Sequence, residues 1–275
     1  MKKNLLILCA TIMTVVACTT ANEEQPQDDE VTVSLGFKFQ FSEITRAELS
    51  DASTYLDVWV VSGDDVVEVH QTKTDDDFGN VTFSLNRNKT YSLYAVAHKG
   101  NGAASLSNGI ISFVDTKISD TFWYSTSFSP ATTTDIDCAM NRIVGQFRVE
   151  TTDAVPSDVK KMRFTIANTF TQWAVSGVGA APSERIVNIS ITSTAQDGTV
   201  SLNMYIIGSA TTSNYNIHAE ALSATDEVLY EHQFTDIPIQ NNYKTVVRGN
   251  FFVSPQTATS FTANAEWQTF NTISF

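Results

Sequence analysis

The sequence is poor in the residue types on which disulfide-rich, metal-binding and nucleic-acid-binding proteins depend. Its 275 residues include three cysteines, four histidines, and 17 basic against 30 acidic side chains, which gives a formal net charge of −13. A chain this acidic repels nucleic acid and anionic lipid, so we predict that neither is a partner. After residue 18, no apolar run is long enough to cross a bilayer.

Catalytic and cofactor-binding motifs are also missing. The sequence has no Gly-x-Ser-x-Gly elbow, no Walker sequence and no dinucleotide fingerprint. The histidines are dispersed, and the acidic run Asp75-Asp76-Asp77 lacks the spacing of an EF-hand, so it is interpreted as a solvated hairpin turn. We therefore predict that the chain is not an enzyme and has no catalytic residues, no metal and no cofactor.

The first residues have the pattern of an export signal. Lys2 and Lys3 precede an apolar run, which is the order of charge and hydrophobicity in a signal peptide. The run ends at Val15-Val16-Ala17-Cys18, and this sequence resembles a bacterial lipobox. We predict a signal peptide over residues 1–17 and lipidation of Cys18. The alternative is an ordinary signal peptide with an incidental cysteine.

An acidic stretch without aromatic residues follows the predicted cleavage site. Residues 18–30 cannot bury enough apolar surface to fold, so we predict a tether to the outer membrane. Several acyl chains on Cys18 would make that anchor stable. Cys9 would leave with the signal peptide, so Cys138 has no partner for an intrachain disulfide, and we expect it to be a small buried hydrophobe.

Alternation of apolar and polar residues, which is typical of strands with one buried face, dominates the rest of the chain. From residue 31 to residue 41 every odd position is apolar, and turn residues separate this run from the next ones. Further strands are predicted at residues 56–61, 66–71, 81–85, 91–98, 143–149, 162–166, 187–191, 200–206, 215–221, 228–234, 243–253 and 261–267.

Many short strands and almost no helical periodicity predict an all-β fold built as β-sandwiches. The stretch 125–135, rich in serine and threonine, separates two series of strands, and we place a domain border near Cys138. The predicted organisation is an N-terminal sandwich over residues 31–138 and a C-terminal sandwich over residues 139–275. Residues 156–160 are predicted to form a short helix or turn.

Four segments, spread over most of the chain, match the motifs of one known family in their order. They are Ile44-Thr45-Arg46-Ala47, Tyr91-Ser92-Leu93-Tyr94-Ala95-Val96-Ala97-His98, Asn141-Arg142-Ile143-Val144-Gly145-Gln146-Phe147-Arg148-Val149 and Asn242-Tyr243-Lys244-Thr245-Val246-Val247-Arg248-Gly249-Asn250-Phe251-Phe252. Together with the lipobox, they resemble the fimbrillin and fimbrial-anchor lipoproteins of type V fimbriae. His98 stands where asparagine is usual. The resemblance implies two tandem Greek-key sandwiches of the transthyretin-like type.

The resemblance also implies a mechanism of assembly. In such fimbriae a protease cuts after an arginine that follows the first strand, and a terminal strand of a neighbouring subunit fills the vacated groove by β-augmentation. In this sequence the cut would fall between Arg46 and Ala47 and would release residues 31–41. The donor strand would be the alternating C-terminal segment with Phe261, Ala263, Ala265 and Trp267. The alternative is that both strands stay in their own sandwich, as in anchor and tip relatives, because cleavage would also sever the Cys18 tether.

We therefore predict a fimbrial subunit, or an anchor or tip lipoprotein, on the cell surface or in the fimbrium of a Gram-negative bacterium. It would act in fimbria assembly and cell adhesion. Its partners would be other fimbrial subunits, the outer membrane through Cys18, and a host protein or glycan. The alternative is a surface glycan-binding lipoprotein of a polysaccharide uptake system, and a secreted hydrolase is a third reading.

Tryptophans are the candidate residues for sugar binding. Trp59 and Trp267 lie in alternating runs, where a tryptophan belongs more often to the core. Trp123 lies between Phe122 and Tyr124, and Trp173 lies in a stretch without clear alternation. We predict that Trp123 and Trp173 form an exposed binding surface.

Overall fold

The computed structural model describes residues 29–39, 49–192, 199–253 and 262–264. Within these ranges almost all regular structure is β, which confirms the predicted fold class. The helical elements in these ranges are one short helix, α1 (Leu49–Ala52), and a 3-10 turn (Val114–Thr116). No helix among these residues is long and apolar enough to cross a membrane.

The strands fall into two sheets of seven and ten strands. In the first half of the chain they are β1 (Glu30–Phe39), β2 (Tyr55–Ser62), β3 (Asp65–Thr72), β4 (Asn80–Asn86), β5 (Tyr91–His98), β6 (Ser105–Ser107), β7 (Ile110–Ser112), β8 (Thr121–Phe128) and β9 (Asp135–Arg142). In the second half they are β10 (Val144–Thr151), β11 (Lys161–Ala174), β12 (Val178–Ser190), β13 (Ser201–Ile207), β14 (Ser213–Leu222), β15 (Val228–Ile239), β16 (Lys244–Gly249) and β17 (Thr262–Asn264).

The first sheet folds over into a sandwich. Its strand order is β3-β2-β5-β8-β9-β1-β4, and β9 passes from one layer to the other because its last residues, Asn141 and Arg142, pair with β8. The strands β4, β1 and β9 form one layer, and β3, β2, β5 and β8 form the other. Side chains of both layers meet in a single core.

Period-two alternation explains this core. The buried residues of β4 are Val81, Phe83 and Leu85, every second residue of the strand, so that one face packs inward and the other meets solvent. Cys138 of β9 is fully buried in the same core, as the sequence predicts. The remaining central members of the cluster are Val33, Leu35, Phe37, Leu56, Val58, Val60, Leu93, Ala95, Phe122 and Met140.

The second sheet repeats this strand arrangement. β10 pairs antiparallel with β13 and parallel with β16, just as β1 pairs antiparallel with β4 and parallel with β9. β11 pairs with β12 and β14, and β14 pairs with β15. The second layer, β12-β11-β14-β15, encloses a second apolar core with β13, β10 and β16. The chain therefore contains two sandwiches with a common topology.

The border between the sandwiches differs in detail from the expected linker. Residues 125–128 belong to β8, and β9 runs through residues 138 and 139, where the border is predicted. The hairpin of β6 and β7 precedes that border in sequence but joins the second sheet, because β7 pairs with β11. The division at residue 138 stays a prediction about the folding units. Residues 156–160, the predicted helix or turn, form a turn in which the Val159 N–H donates to the Pro156 carbonyl.

Candidate functional site

The strand β1 lies in a groove between β4 and β9. It pairs with β4 from Glu30 opposite Asn86 to Gly36 opposite Asn80. On its other edge it pairs with β9 from Ser34 to Phe39. The side chains of Val33, Leu35, Phe37 and Phe39 are at most 8% exposed. Both backbone edges and one side-chain face of the predicted removable strand are therefore occupied by its own sandwich.

The residues predicted for processing lie outside the described ranges. β1 ends at Phe39 and α1 begins at Leu49, and Arg46 and Ala47 fall between these two elements in sequence. Cys18 precedes the described residues. Cleavage after Arg46 and lipidation of Cys18 stay predictions.

The predicted donor strand is described at three residues. β17 pairs antiparallel with β16, with Ala263 opposite Val247. Phe261, Ala265 and Trp267 lie outside the described ranges. Residues 262–264 of the candidate donor thus add to an edge of its own second sheet, and donation to another subunit stays a prediction.

Trp123 and Trp173 are buried, so the prediction that they form an exposed sugar-binding surface is wrong. Trp123 is 7% exposed and Trp173 is 3% exposed, and both belong to the apolar cluster that joins the two sandwiches. Their ring centroids are 6.1 Å apart, and Trp173 lies opposite Ile111 in the β7–β11 pairing. Residues 169–174 form part of β11 and not a loop, because they pair with β12 on one edge and residues 172–174 pair with β7 on the other. Trp59, expected in the core, is fully buried.

An ion pair lies in the same boundary region between the two sandwiches, which is called the junction below and is built around the cluster that contains Trp123 and Trp173. The Arg142 guanidinium donates from Nε to Asp120 Oδ1 at 2.6 Å and from Nη2 to Asp120 Oδ2 at 3.0 Å. Its Nη1 donates to Asn242 Oδ1 at 2.8 Å, and the guanidinium lies 4.6 Å from the Phe122 ring centroid. This bidentate contact has the geometry that favours arginine over lysine. It ties β8, β9 and the turn before β16 together.

A buried carboxylate organises polar contacts on the face of β2 that also carries Trp59, a member of the cluster between the sandwiches. Asp57 is fully buried, and it accepts hydrogen bonds from His98 Nε2 at 2.8 Å and from the Ala104 N–H at 2.9 Å. Its other oxygen lies 2.7 Å from His70 Nδ1. His98 Nδ1 accepts the N–H of Gly100 at 3.0 Å, so the ring proton of a neutral His98 lies on Nε2 and points at Asp57. The network satisfies buried polar groups.

Sequence reasoning missed this network, although the chain contains a signal for it. Asp57 interrupts the otherwise apolar run from Leu56 to Val60, and a continuous apolar run indicates a strand buried on both faces. A charged residue in such a strand must have partners. His70 pairs directly opposite Asp57 across β2 and β3, and His98 lies diagonally from it on β5, which only the strand register determines.

The pKa shifts of other titratable groups have ordinary structural causes, namely burial and ion pairing. Burial raises the pKa of the Cys138 thiol to about 12, which makes it a poor nucleophile. Hydrogen bonds from Arg163 hold the pKa of Glu220 below its usual range. In the ranges that the structure describes, no three His, Cys, Asp or Glu side chains are grouped to hold a metal ion.

Three solved structures of bacterial proteins share the fold along their length. The fimbrial anchor protein Mfa2 from Porphyromonas gingivalis has 9% identity and a TM-score of 0.53, over 86% of this chain and 98% of that chain. A candidate adhesin from Bacteroides ovatus has 13% identity and a TM-score of 0.52, over 85% and 96%. A candidate polysaccharide-binding protein from Bacteroides thetaiotaomicron has 10% identity and a TM-score of 0.53, over 87% and 98%. At such identities the likeness shows the fold alone.

The sequence itself matches one protein family. Among the curated proteins nothing matches the chain. The family of unknown function DUF6562 matches residues 104–269, which is more than half of the 275 residues. The match includes most of both sides of the junction and the whole second sandwich. The chain therefore belongs to the DUF6562 family.

Proposed function

We propose that this chain is a fimbrial subunit, or the anchor or tip lipoprotein of a fimbria, on the outer surface of a Gram-negative bacterium. Its role is structural and adhesive and not enzymatic. The observation that carries the proposal is the pair of sandwiches with a common topology, a fold shared with a fimbrial anchor protein over nearly the whole of that chain. The four family motifs and the lipobox support it independently, because they come from the sequence.

Whether β1 stays in the first sandwich distinguishes an anchor or tip subunit from a stem subunit. Each large buried apolar side chain contributes about 1.5–3 kcal/mol, so the four of β1 contribute about 6–12 kcal/mol. The free energy of unfolding of a whole domain is about 5–15 kcal/mol. A chain that lost β1 without a replacement strand would not stay folded. An anchor or tip therefore keeps β1, and a stem subunit exchanges it for the terminal strand of a neighbour.

Fractionation of the native bacterium tests the fimbrial role. We expect an epitope-tagged chain in the sheared fimbrial fraction if it is a stem or tip subunit, or in the outer membrane together with co-purifying fimbrial subunits if it is the anchor. Deletion of the gene should reduce fimbriation and adhesion. A chain that associates with no fimbrial subunit in either fraction would contradict the proposal.

Arginine-specific proteolysis of the purified chain then assigns the position in the fimbria. A single cut before Ala47, followed by filaments in electron micrographs, supports strand exchange and a stem role. The matched variant Arg46→Gln should resist that cut and stay monomeric. Resistance of the unchanged protein at Arg46 would leave the anchor and tip roles.

Lipidation makes a separate prediction. In cells grown with labelled palmitate, the unchanged chain should carry label and Cys18→Ala should carry none, because the thiol is the acceptor of the diacylglycerol. Cys138→Ala is the control, since that thiol lies inside the first sandwich. Label that persists in Cys18→Ala would contradict the lipobox assignment.

Glycan binding is the second candidate function. A neighbour in fold from Bacteroides thetaiotaomicron is described as polysaccharide-binding, which favours this reading. The two tryptophans expected to stack on sugar rings are buried. A glycan site on this chain would therefore have to use other residues. Glycan-array binding by the purified chain, without association with any fimbrial subunit in the cell, would favour this function over the first.

A further inference from the structure

A groove lies between the two sandwiches, away from β1. Two segments of the first half form one wall, residues 99–101 after β5 and residues 115–120 before β8. The strands β12 and β13 form the other wall. The groove, called here the junction groove, has a volume of about 700 Å³. Small-molecule sites in proteins commonly have about 300–1,000 Å³.

Arg185 lies in the wall of the junction groove. It is the one buried residue of β12, with 7% of its surface exposed, and it shares the inward face of that strand with Val187 and Ile189. Its Nη2 donates to the Tyr205 carbonyl at 2.7 Å. Its Nη1 is buried without a hydrogen-bond partner, and among the described residues no carboxylate forms an ion pair with it. Burial lowers the pKa of Arg185 to about 10, so it is still charged at neutral pH.

A buried cation without a counter-charge is unfavourable for stability, because desolvation is not compensated. Nearly all exposed positions of β12 would accept an arginine without that cost. A ligand that brings the missing negative charge accounts for a cation at this position. Buried polar groups without a hydrogen-bond partner are rare in proteins, so each one requires an explanation.

Two more cations lie at the rim. Lys99 donates to the Asp51 carbonyl at 3.0 Å, and Lys117 donates to Asn101 Oδ1 at 2.7 Å. Both partners are neutral oxygens, so these contacts leave the lysine charges uncompensated. The groove thus holds three cations, Arg185, Lys99 and Lys117, against two carboxylates, Asp115 and Asp120, in a chain whose formal net charge is −13. An excess of one sign of charge in a cleft attracts the opposite sign.

The remaining wall residues limit the kind of anion. Asp120 and Asp115 lie in the same wall, Asp120 paired with Arg142 and Asp115 accepting from Asn101 Nδ2. Their carboxylates disfavour a doubly charged ligand such as phosphate. Amides of Asn188 and Asn203 and the apolar Met204 also line the groove, a combination that suits the hydroxyls and the C–H face of a sugar ring.

We propose that the junction groove binds a sugar residue with a single carboxylate, such as a uronate, with the carboxylate held by Arg185 and by the rim lysines Lys99 and Lys117. The planar guanidinium fork matches a carboxylate. This binding site is independent of the fimbrial role, because it uses neither β1 nor the termini. A free acidic monosaccharide and the acidic end of a glycan present the same chemistry to the groove.

Calorimetric titration of the purified chain with sodium glucuronate tests the proposal. Glucuronate should bind at least about tenfold more tightly than glucose, because the carboxylate meets a desolvated cation. Inorganic phosphate should bind more weakly than glucuronate. An oligosaccharide that ends in glucuronate should bind too: equal affinity supports capture of the free acid, and tighter binding supports capture of a glycan end.

Variants separate binding from folding. Arg185→Met should weaken glucuronate binding at least about tenfold, while the free energy of unfolding stays unchanged or rises, because the variant buries no unpaired charge. Lys117→Gln should keep the fold and weaken binding about two- to fivefold, as for an exposed charge. Lys73→Gln, a matched exposed lysine outside the groove, should bind as the unchanged protein does.

Three results would overturn the proposal. Equal affinities for glucuronate and glucose would show that the ligand carboxylate does not contribute to binding. Tighter binding of phosphate than of glucuronate would make the ligand class wrong. Undiminished binding in Lys117→Gln together with undiminished binding in a folded Arg185→Met would locate the site elsewhere, and if Arg185→Met fails to fold, Lys99→Gln replaces it as the second test.

Discussion

At the residue scale, the buried carboxyl group of Asp57 is expected to contribute strongly to stability. Asp57→Ala leaves the His98 Nε2–H and the Ala104 N–H without their acceptor in a fully buried site. We expect the free energy of unfolding to fall by about 3–5 kcal/mol, the usual cost of removing one member of a buried polar set. Urea denaturation monitored by circular dichroism measures this free energy of unfolding.

The control for Asp57 is an aspartate in a solvated turn. Asp76 is exposed, and Asp76→Ala should change the free energy of unfolding by less than about 0.5 kcal/mol. If the two variants lose equal stability, the Asp57 network does not stabilise the first sandwich.

We predict that Glu220 makes the free energy of unfolding of the second sandwich depend on pH. It lies directly opposite Arg163 across β11 and β14, and the guanidinium donates to it at 2.5 and 2.7 Å. These hydrogen bonds lower the pKa of Glu220 in the folded state from its ordinary value of 4.5. The stabilisation is therefore complete above that value and is lost as the pH falls through the lower, folded-state pKa.

Glu220→Gln should accordingly lower the free energy of unfolding by about 1–3 kcal/mol at pH 7. The difference from the unchanged protein should shrink as the pH falls below 4.5, since the native carboxylate then becomes protonated as well. Glu227→Gln, at an exposed carboxylate of the following turn, should differ little from the unchanged protein at either pH. A difference for Glu220→Gln that is constant from pH 7 to acid would show that charge is not its cause.

At the scale of the element, we predict that β1 can be removed from the first sandwich and replaced by a separate strand. A chain that begins at Ala47 lacks the four buried side chains of β1, and as a monomer it should show no cooperative unfolding transition of the first sandwich. A synthetic peptide of residues 29–41 should restore that transition, because it satisfies the edges of β4 and β9. Thermal unfolding and fluorescence titration measure the two effects.

The matched control peptide carries Leu35→Ser and Phe37→Ser. It keeps the backbone donors and acceptors but loses apolar surface that the groove buries, so it should bind at least about tenfold more weakly. Two results would contradict this prediction. One is a chain from Ala47 whose first sandwich is stable alone, and the other is equal affinity of the chain for the unchanged and the doubly substituted peptide.

At the scale of the whole molecule, the junction makes the two sandwiches depend on each other. Trp173 of the second sheet packs against Trp123 of the first and opposite Ile111 of β7. Trp173→Ala should lower the free energy of unfolding by about 3–5 kcal/mol, the usual loss for a core tryptophan. Val178→Ala, on an edge strand and 56% exposed, should lose less than about 0.5 kcal/mol. A loss below about 1 kcal/mol for Trp173→Ala would mean that the junction is loosely packed.

The sequence by itself determined the all-β class and most of the core strands, because the period of two directly reports which face of a strand is buried. The strands β8 and β9, which contribute Phe122 and Met140 to the first core, are not among the predicted strands. The burial of Val33, Leu35 and Phe37 of β1 follows from that pattern, whereas the expected burial of Cys138 follows from its lack of a partner for an intrachain disulfide. Alternation says nothing about what covers the second face. The errors at Trp123 and Trp173 have that origin, since the β6–β7 hairpin and the junction cover faces that a single strand pattern leaves open.

Only the tertiary structure decided the polar sites. Asp57 meets His70 and His98 through strand register, and Arg185 meets the loops around Lys99 and Lys117 through the apposition of two sandwiches. These partners are separated by tens of residues in the chain, so no local pattern relates them. Local sequence encodes burial one strand at a time, whereas the position of a charge relative to others depends on how strands pair and sheets pack.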